Sequence, residues 1–180
     1  MKLARTKALF GGLLLGLAGG AFALTPDQAL RIASGDSEAR IAALDEVVAA
    51  ADPALEAYLQ ALLANQVQLA GGRAFVVQGE RAVDAASGAA AVLPSGAEDV
   101  INNNRMRREL QAAMAALRLF SPERQQRAQA INALKAIADE DRLALIQKAE
   151  RAETDTALKQ ELALLKAAVL VTSNDPLKRL

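Results

Sequence analysis

Apolar residues recur at the spacing of an amphipathic α-helix along most of the chain, interrupted by residues that start or stop helices. Thr25, followed by proline, is the predicted N-cap of a first short helix, and Asp36 that of a second. Asp52-Pro53 is predicted to end the second helix and start a third, so that these two helices form an αα-hairpin. The inward positions of the hairpin are Ile41, Leu44, Val47, Val48, Leu55, Leu59, Leu62 and Leu63. We therefore expect residues 24–70 to form an N-terminal helical repeat.

The pattern ceases to be helical after Gly71-Gly72. Arg73–Gln78 is a run of β-branched and aromatic residues, and further glycines interrupt the chain between this run and Asp99. We predict that Arg73–Gln78 and roughly Ala90–Leu93 are the two strands of a β-hairpin, inserted at residues 71–98 between helical units. Because an isolated two-stranded hairpin is only marginally stable in water, it should pack against the helices.

Helical spacing returns after this insert and continues towards the end of the chain. Four further helices are predicted, and the last three start at Ser121-Pro122, Asp139 and Thr154. Their inward positions are Leu110, Met114, Leu117, Ala130, Ile131, Leu134, Ile137, Leu143, Ile146, Ala149, Leu158, Leu162, Leu165 and Val169. Ser173-Asn-Asp-Pro176 has the composition of one more helix start, so residues 99–180 are predicted to hold helical repeats, the last of them incomplete.

Three of these helix starts share a pattern, which indicates an internal repeat. Residues 34–40, 121–127 and 173–179 each carry serine first, an acidic residue two positions on and arginine six positions on. In the first two copies an aspartate follows the arginine by twelve residues, at Asp52 and Asp139. The serine or the acidic residue would cap the helix, and the arginine could bridge to carboxylates of the same or the next unit. Chance similarity in an alanine-rich chain is the alternative.

The first 23 residues have the three parts of a cleavable secretory signal. A basic start is followed by the uncharged stretch Ala8–Gly20, and Ala21-Phe22-Ala23 places small residues at the A-x-A positions. A short membrane anchor is the alternative, but an uncharged stretch of 13 residues is shorter than the roughly 20 that cross a bilayer. We expect cleavage before Leu24 and a periplasmic or otherwise extracytoplasmic product.

Composition excludes several kinds of chemistry. The chain has no histidine and no cysteine, which rules out Ser-His-Asp and Cys-His nucleophile systems, thiol redox chemistry, disulfides and ordinary zinc or haem sites. The 21 basic residues balance 21 acidic ones, and loss of Lys2, Arg5 and Lys7 with the signal leaves a mature charge of about −3. Nucleic acid is therefore not an expected partner, because phosphate binding needs a basic surplus. Alanine and leucine, both strong helix formers, dominate the remaining composition and favour an all-α fold.

The acidic-x-x-x-Arg helix opening resembles the HEAT-type repeat, which implies an all-α fold: a HEAT-like α-solenoid of antiparallel helix pairs with the short β-hairpin insertion. A narrower resemblance rests on Ile101-Asn-Asn-Asn-Arg-Met-Arg-Arg-Glu-Leu110, Ala115–Pro122 and Glu153-Thr154-Asp155, with Gly71-Gly72-Arg73 before the insert. These motifs are similar, in the same order, to the extracytoplasmic N-terminal region of the permease subunit of bacterial urea ABC transporters. That family continues into a hydrophobic permease domain, so the resemblance implies a fragment or an interrupted reading frame that cannot translocate urea alone.

Arg105, Arg107 and Arg108 are the candidate docking residues for a protein partner. The partner would be a solute-binding protein or another subunit of the transporter, and membrane association would come only through the missing permease domain. The alternative is a solvated face on which the arginines pair with Glu98, Asp99 or Glu109. Arg105 and Arg108 are three residues apart and should share a helix face, whereas Arg107 should point elsewhere.

Other prominent side chains are interpreted as structural. Arg40 and Arg127 are expected to stabilise the repeats, and Tyr58 to lie in the core. Phe75 and Phe120 are expected to anchor the insert and a helix junction. Asp139-Glu140-Asp141 is interpreted as a helix cap, because it lacks the spaced oxygen ligands of a calcium loop.

These observations favour a protein that binds rather than catalyses. The leading hypothesis is a non-catalytic, exported helical domain of a urea transporter permease subunit, with no cofactor and no metal. A stand-alone periplasmic HEAT-like scaffold or adaptor is the second hypothesis. A hydrolase that uses paired carboxylates is the third, and it is disfavoured because the acidic residues fall on solvated helix faces without an aromatic cleft nearby in sequence.

Overall fold

The computed structural model describes residues 24–52, 54–137 and 140–172. Within these ranges seven α-helices and one 3-10 helix accompany a five-stranded antiparallel sheet. In chain order the elements are α1 (Pro26–Ala33), α2 (Ser37–Val48), α3 (Leu55–Leu63), β1 (Val67–Ala70), β2 (Arg73–Gln78), β3 (Arg81–Asp84), β4 (Ala90–Ala91), β5 (Glu98–Asp99), α4 (Asn104–Arg118), α5 (Arg124–Leu134), the 3-10 helix (Glu140–Arg142), α6 (Leu143–Ala152) and α7 (Thr156–Val171). The predicted secretory signal, the predicted cap Asp139 and the segment from Ser173 lie outside the described residues.

The prediction of an all-α, HEAT-like α-solenoid is wrong, because the chain folds into a mixed structure of helices and a five-stranded sheet. In the sequence, three of the described α-helices precede the strands and four follow them. The sheet has the order β4-β3-β2-β1-β5, and every neighbouring pair is antiparallel. Its strands run from Val67 to Asp99 and therefore include β1, which lies in the segment predicted to be helical. Helix propensity could not reveal β1, because its stability comes from ladder partners on both sides.

The predicted two-stranded hairpin is also wrong in its pairing. β2 is a strand as predicted, but it pairs with β1 on one side and with β3 on the other. Ala90–Ala91 forms β4 and pairs with β3, whereas the prediction paired this region with β2. The turn between β1 and β2 explains the difference: Gly71 and Gly72 have φ of 54° and 71° and directly link the paired residues Ala70 and Arg73. Two glycines with positive φ favour a two-residue hairpin turn at this position.

Buried side chains form two groups. The first core lies among α1, α2, α3, the sheet and α4, and includes Leu44 and Tyr58, which have no exposed surface. The second core lies among α5, α6 and α7 and also includes Ala115 of α4 and Leu119, the residue that directly follows α4. Phe120 packs against both groups, as expected of a residue at a helix junction. α4 is therefore the element that the two cores share.

Two predicted helix starts are confirmed. The Thr25 hydroxyl accepts a hydrogen bond from the backbone N–H of Gln28, and the Gln28 side chain accepts one in return from the Thr25 N–H. The Asp36 carboxylate accepts from the N–H of Ala39 at 2.9 Å and caps α2. Both contacts satisfy N–H groups that a helix leaves without an internal partner.

Two other helix starts differ from the prediction by one or two residues. Glu123, not Ser121, is the N-cap residue of α5, and the Ser121 hydroxyl instead accepts from the Glu123 N–H at 3.1 Å. Asp155, not Thr154, caps α7. Ile137 was predicted to face inward, but it lies beyond the end of α5 and is 40% exposed.

Candidate functional site

The three arginines that sequence analysis selected lie in the first turns of α4. Asn103 starts this helix, and its side-chain oxygen accepts a hydrogen bond from the N–H of Met106 at 2.8 Å. Arg105 and Arg108 are exposed, whereas Arg107 is partly buried. The helix therefore separates Arg107 from the other two, in agreement with the predicted faces.

Arg107 and Arg105 have different surroundings. Arg107 donates to the backbone oxygen of Leu63 at 3.2 Å and to the side-chain oxygen of Asn65 at 3.0 Å, so it satisfies carbonyl groups at the end of α3. Arg105 lies 3.7 Å from Glu38, an exposed residue in the first turn of α2. Arg107 is thus committed to the fold, and Arg105 and Arg108 are the arginines that face solvent.

The alternative interpretation paired these arginines with Glu98, Asp99 or Glu109, and the structure gives other partners to two of these carboxylates. Glu109 accepts a hydrogen bond from Arg142 at 2.8 Å. Asp99 accepts one from Gln68 on the neighbouring strand at 2.8 Å. Both carboxylates therefore have other partners, which sequence spacing could not indicate.

The N-termini of α2 and α4 lie side by side. The Asn103 side chain donates to the Ser37 hydroxyl at 2.7 Å, which joins the start of one helix to the start of the other. Ile101, just before α4, is 81% exposed although it is a large apolar residue. We define the α4 N-terminal surface as Ile101, Arg105 and Arg108. Two helix N-termini and two guanidinium groups bring positive charge to this surface around an apolar side chain, and the carboxylates of Asp36 and Glu38 at the start of α2 offset part of it.

A buried arginine lies directly beneath this surface. Arg40 is 5% exposed and donates to the backbone oxygens of Ile32, at 2.8 Å, and Ile101, at 3.1 Å. It also donates to the side-chain oxygen of Asn102 at 2.5 Å, and Asn102 donates to the backbone oxygen of Leu62 at 2.7 Å. Burial lowers the pKa of Arg40, but an arginine remains charged at neutral pH. This network fixes the segment before α4 and adds a positive charge below it.

The second motif arginine behaves as the repeat predicted. Arg127 in α5 forms two hydrogen bonds with the Glu153 carboxylate, at 2.7 and 3.1 Å, and so bridges to the next helical unit. Arg124, one turn earlier, donates to Asp155 at 2.7 Å. The prediction that the motif arginine binds a carboxylate is therefore confirmed for Arg127, whereas the contacts described for Arg40 are with two carbonyl groups and an amide.

The same contacts shift the ionisation of the acidic residues. Hydrogen bonds from Arg127 hold the pKa of Glu153 below its usual value, and they outweigh the effect of burial. The Arg124 hydrogen bond lowers the pKa of Asp155 in the same way. In the sheet, burial tends to raise the pKa of Asp84, but hydrogen bonds from Ser87 bring it below the usual value. All three groups are therefore carboxylates at neutral pH.

Sequence analysis missed Arg142, which is 2% exposed. It donates to Asp45 of α2 and to Glu109 of α4, both at 2.8 Å. The two carboxylates are 97 and 33 residues away in sequence, so no local motif could have indicated this contact. Arg142 ties the 3-10 helix to α2 and α4.

Cavities in the described part of the chain are open and mixed in character. A groove of about 680 Å³ runs between α6 and α7, where Glu150 and Lys166 form an ion pair at 2.6 Å. A smaller pocket of about 200 Å³ lies beside Arg142. Across residues 24–52, 54–137 and 140–172, no group of three or more acidic side chains is placed to hold a metal ion.

Comparison of the chain with known protein families, curated proteins and solved structures finds no match. Among the described helices, none combines the length and the apolar character that crossing a bilayer requires.

Proposed function

We propose that this chain is a non-catalytic, exported protein-binding domain of the permease subunit of a bacterial urea ABC transporter. In this proposal it binds another protein of the transporter, such as the solute-binding protein, and contributes docking contacts for urea uptake. The single observation that carries the docking role is the exposure of Ile101, Arg105 and Arg108 together on the α4 N-terminal surface.

The motifs of the resemblance support this proposal through their contacts. Asn102 and Arg107 are held by the end of α3. Arg127, which follows the Ser121-Pro122 motif, binds Glu153 of the Glu-Thr-Asp motif. Arg127 thus joins the segment that follows one motif to the Glu-Thr-Asp motif, while Arg105 and Arg108 remain at the surface.

The chemistry of the surface favours an acidic partner with an apolar contact point. Guanidinium groups form paired hydrogen bonds with carboxylates, and an exposed isoleucine gives apolar area that a partner can bury. Charges at the edge of an interface act mainly on partner selection and association rate. The association should therefore weaken as the salt concentration rises.

A binding measurement with charge-reversal variants tests the proposal. The exported full chain is immobilised, and the solute-binding protein and the other transporter subunits of the same organism are passed over it. The Arg105→Glu/Arg108→Glu variant should lower the affinity at least about tenfold, since each reversed contact is worth on the order of 1 kcal/mol. Arg81→Glu, at the exposed first residue of β3, is the matched control and should bind as the parent does.

Two outcomes would contradict parts of the proposal. Equal loss of binding in the Arg81→Glu control would show that net charge, not the α4 N-terminal surface, is responsible. Binding to no transporter subunit, together with capture of an unrelated periplasmic protein, would support a stand-alone adaptor instead. Reading the gene past codon 180 gives an independent check, because the transporter proposal expects several apolar spans of about 20 residues to follow.

A further inference from the structure

The final described helix, α7, has a buried apolar face and, opposite it, an exposed face that carries large apolar side chains. Its inner face is buried in the second core. Its outer face is fully uncharged and consists of the exposed residues Ala157, Gln160, Leu164, Ala167, Ala168 and Val171. Leu164 and Val171 are 70% and 62% exposed, which is high for large apolar side chains. A helix that is apolar on both faces is normally covered on both.

The internal repeat indicates what this outer face is for. In the second copy, Leu119 lies two residues and Ala115 six residues before the motif serine. Both side chains are buried in the second core, to which α5 also contributes. α5 is the helix that this motif opens. At the same distances before the third motif serine, α7 carries Val171 and Ala167 on its exposed face.

In the first copy, the residue two positions before the motif serine is buried as well. Ile32 lies two residues before Ser34 and has no exposed surface in the core that α1 shares with α2. The aligned residues of the two described copies are thus buried, and their counterpart Val171 is exposed. In the first two copies the motif is followed by α2 and α5, and each of these helices packs against the helix that precedes the motif.

The motif arginines also make a similar contact in the first two copies. Arg40 donates to the backbone oxygen of Ile32, near the end of α1. Arg127 donates to the backbone oxygens of Ser121 and Pro122, just after α4. In both copies the arginine therefore binds carbonyl groups at or beyond the end of the preceding helix. Arg179 occupies this position in the third copy.

We propose that the outer face of α7 is the docking surface of the segment 173–180 of this same chain. Leu180, seven residues after the motif serine, would cover Val171. This position holds Ile41 and Ala128 in the first two copies, and both pack against a core. Arg179 would donate to carbonyl groups at the end of α7. The proposal does not depend on the α4 N-terminal surface.

A segment of the same chain fits this surface better than a second molecule. It follows α7 directly, so it docks without the loss of translational and rotational freedom that association of two molecules requires. One face of a 16-residue helix, with alanine at three positions, also offers less area than the roughly 1,200 Å² that stable protein interfaces bury.

Thiol labelling tests the proposal in the full chain. Because the chain has no cysteine, Val171→Cys introduces a single thiol, and Ala152→Cys on an exposed position of α6 is the control. The Val171→Cys thiol should react with a maleimide at least about threefold more slowly in the chain ending at 180 than in one ending at 172. The Ala152→Cys thiol should react equally fast in both chains.

Point variants and hydrogen exchange complete the test. Arg179→Ala and Leu180→Asp should each speed the labelling of the Val171→Cys variant, whereas Lys178→Ala should not. In the unsubstituted chain, amides in the last turn of α7 should exchange faster after removal of residues 173–180. Equal labelling and exchange with and without the segment would overturn the proposal. Protection that grows with protein concentration would also overturn it and would assign the surface to a second copy.

Discussion

Arg127 and Glu153 form a side-chain contact that joins two helical units of the chain. Their two hydrogen bonds span 26 residues, and the Glu153 side chain is 2% exposed. Glu153 also accepts from the N–H groups of Thr154 and Asp155, which orders the turn before α7. Removal of Arg127 would leave the buried Glu153 carboxylate without its counterpart, which costs more than the intact pair contributes.

Arg127→Ala should therefore lower the free energy of unfolding by about 3 kcal/mol, measured by chemical denaturation. Arg81→Ala, an exposed arginine in β3, should change it by less than about 0.5 kcal/mol. In a double-mutant cycle, Arg127→Ala and Glu153→Gln should be strongly non-additive. Additive effects would show that the two side chains act independently.

Acid should weaken the fold through the same pair. The pKa of Glu153 in the folded chain is below its usual value, so its stabilising effect is present above the usual carboxylate range and is lost as the pH falls towards the lowered pKa. We expect the free energy of unfolding to decrease from about pH 5 downwards. The Glu153→Gln variant should show a shallower decrease than the parent, and Glu80→Gln, on an exposed turn, should follow the parent.

At the scale of elements, residues with positive φ decide where strands and helices turn. Gly72 has φ of 71° in the turn between β1 and β2, and a Cβ atom there would meet no neighbouring atom within 4 Å. The cost of a side chain at this position is therefore that of the backbone conformation alone. Ala51 has φ of 57° just after α2, although it carries a Cβ atom.

These two positions should respond in opposite directions to exchange of alanine and glycine. Gly72→Ala should destabilise the chain by about 1 kcal/mol, because an L-residue pays for this φ. Ala51→Gly should be neutral or stabilising by up to about 1 kcal/mol, since it relieves the same strain. Thermal unfolding monitored by circular dichroism measures both. A loss of stability in both variants would indicate that the Ala51 side chain contributes packing that exceeds its backbone strain.

At the scale of the whole molecule, two cores are coupled through α4 and Arg142. α4 gives residues to both cores, and Leu145 of α6 reaches into the first. Arg142 adds an ion pair with Asp45 and another with Glu109 across the same boundary. These contacts favour unfolding of the chain as one unit.

Arg142→Met should lower the free energy of unfolding by about 3 kcal/mol, because it keeps much of the side-chain volume but leaves Asp45 and Glu109 without their buried partner. Hydrogen exchange should then show faster opening of α6 and α7 than of α1 and α2. Arg151→Met, at an exposed position of α6, is the control and should leave both rates unchanged. Equal acceleration in both groups of helices would contradict the coupling role of Arg142.

The sequence alone was sufficient for the features that depend on neighbouring residues. Apolar spacing located the helices, the side chains of Thr25 and Asp36 capped them as predicted, and the β-branched run marked β2. The split of Arg107 from Arg105 and Arg108 also followed from helix periodicity. In each case the determining interactions lie within about one helical turn or one strand.

Only the tertiary structure decided the fold class and the positions of the buried charges. β1 and β4 are short and lack a strong strand pattern, so they exist because β2 and β3 pair with them. Arg142 is buried because Asp45 of α2 and Glu109 of α4 supply carboxylates that bind it. Arg107 donates to the backbone at the end of α3 and not to a carboxylate of its own helix. The contacts of Arg107 and Arg142 join segments 33 to 97 residues apart, and the free energy of such contacts is gained only when the whole chain has folded.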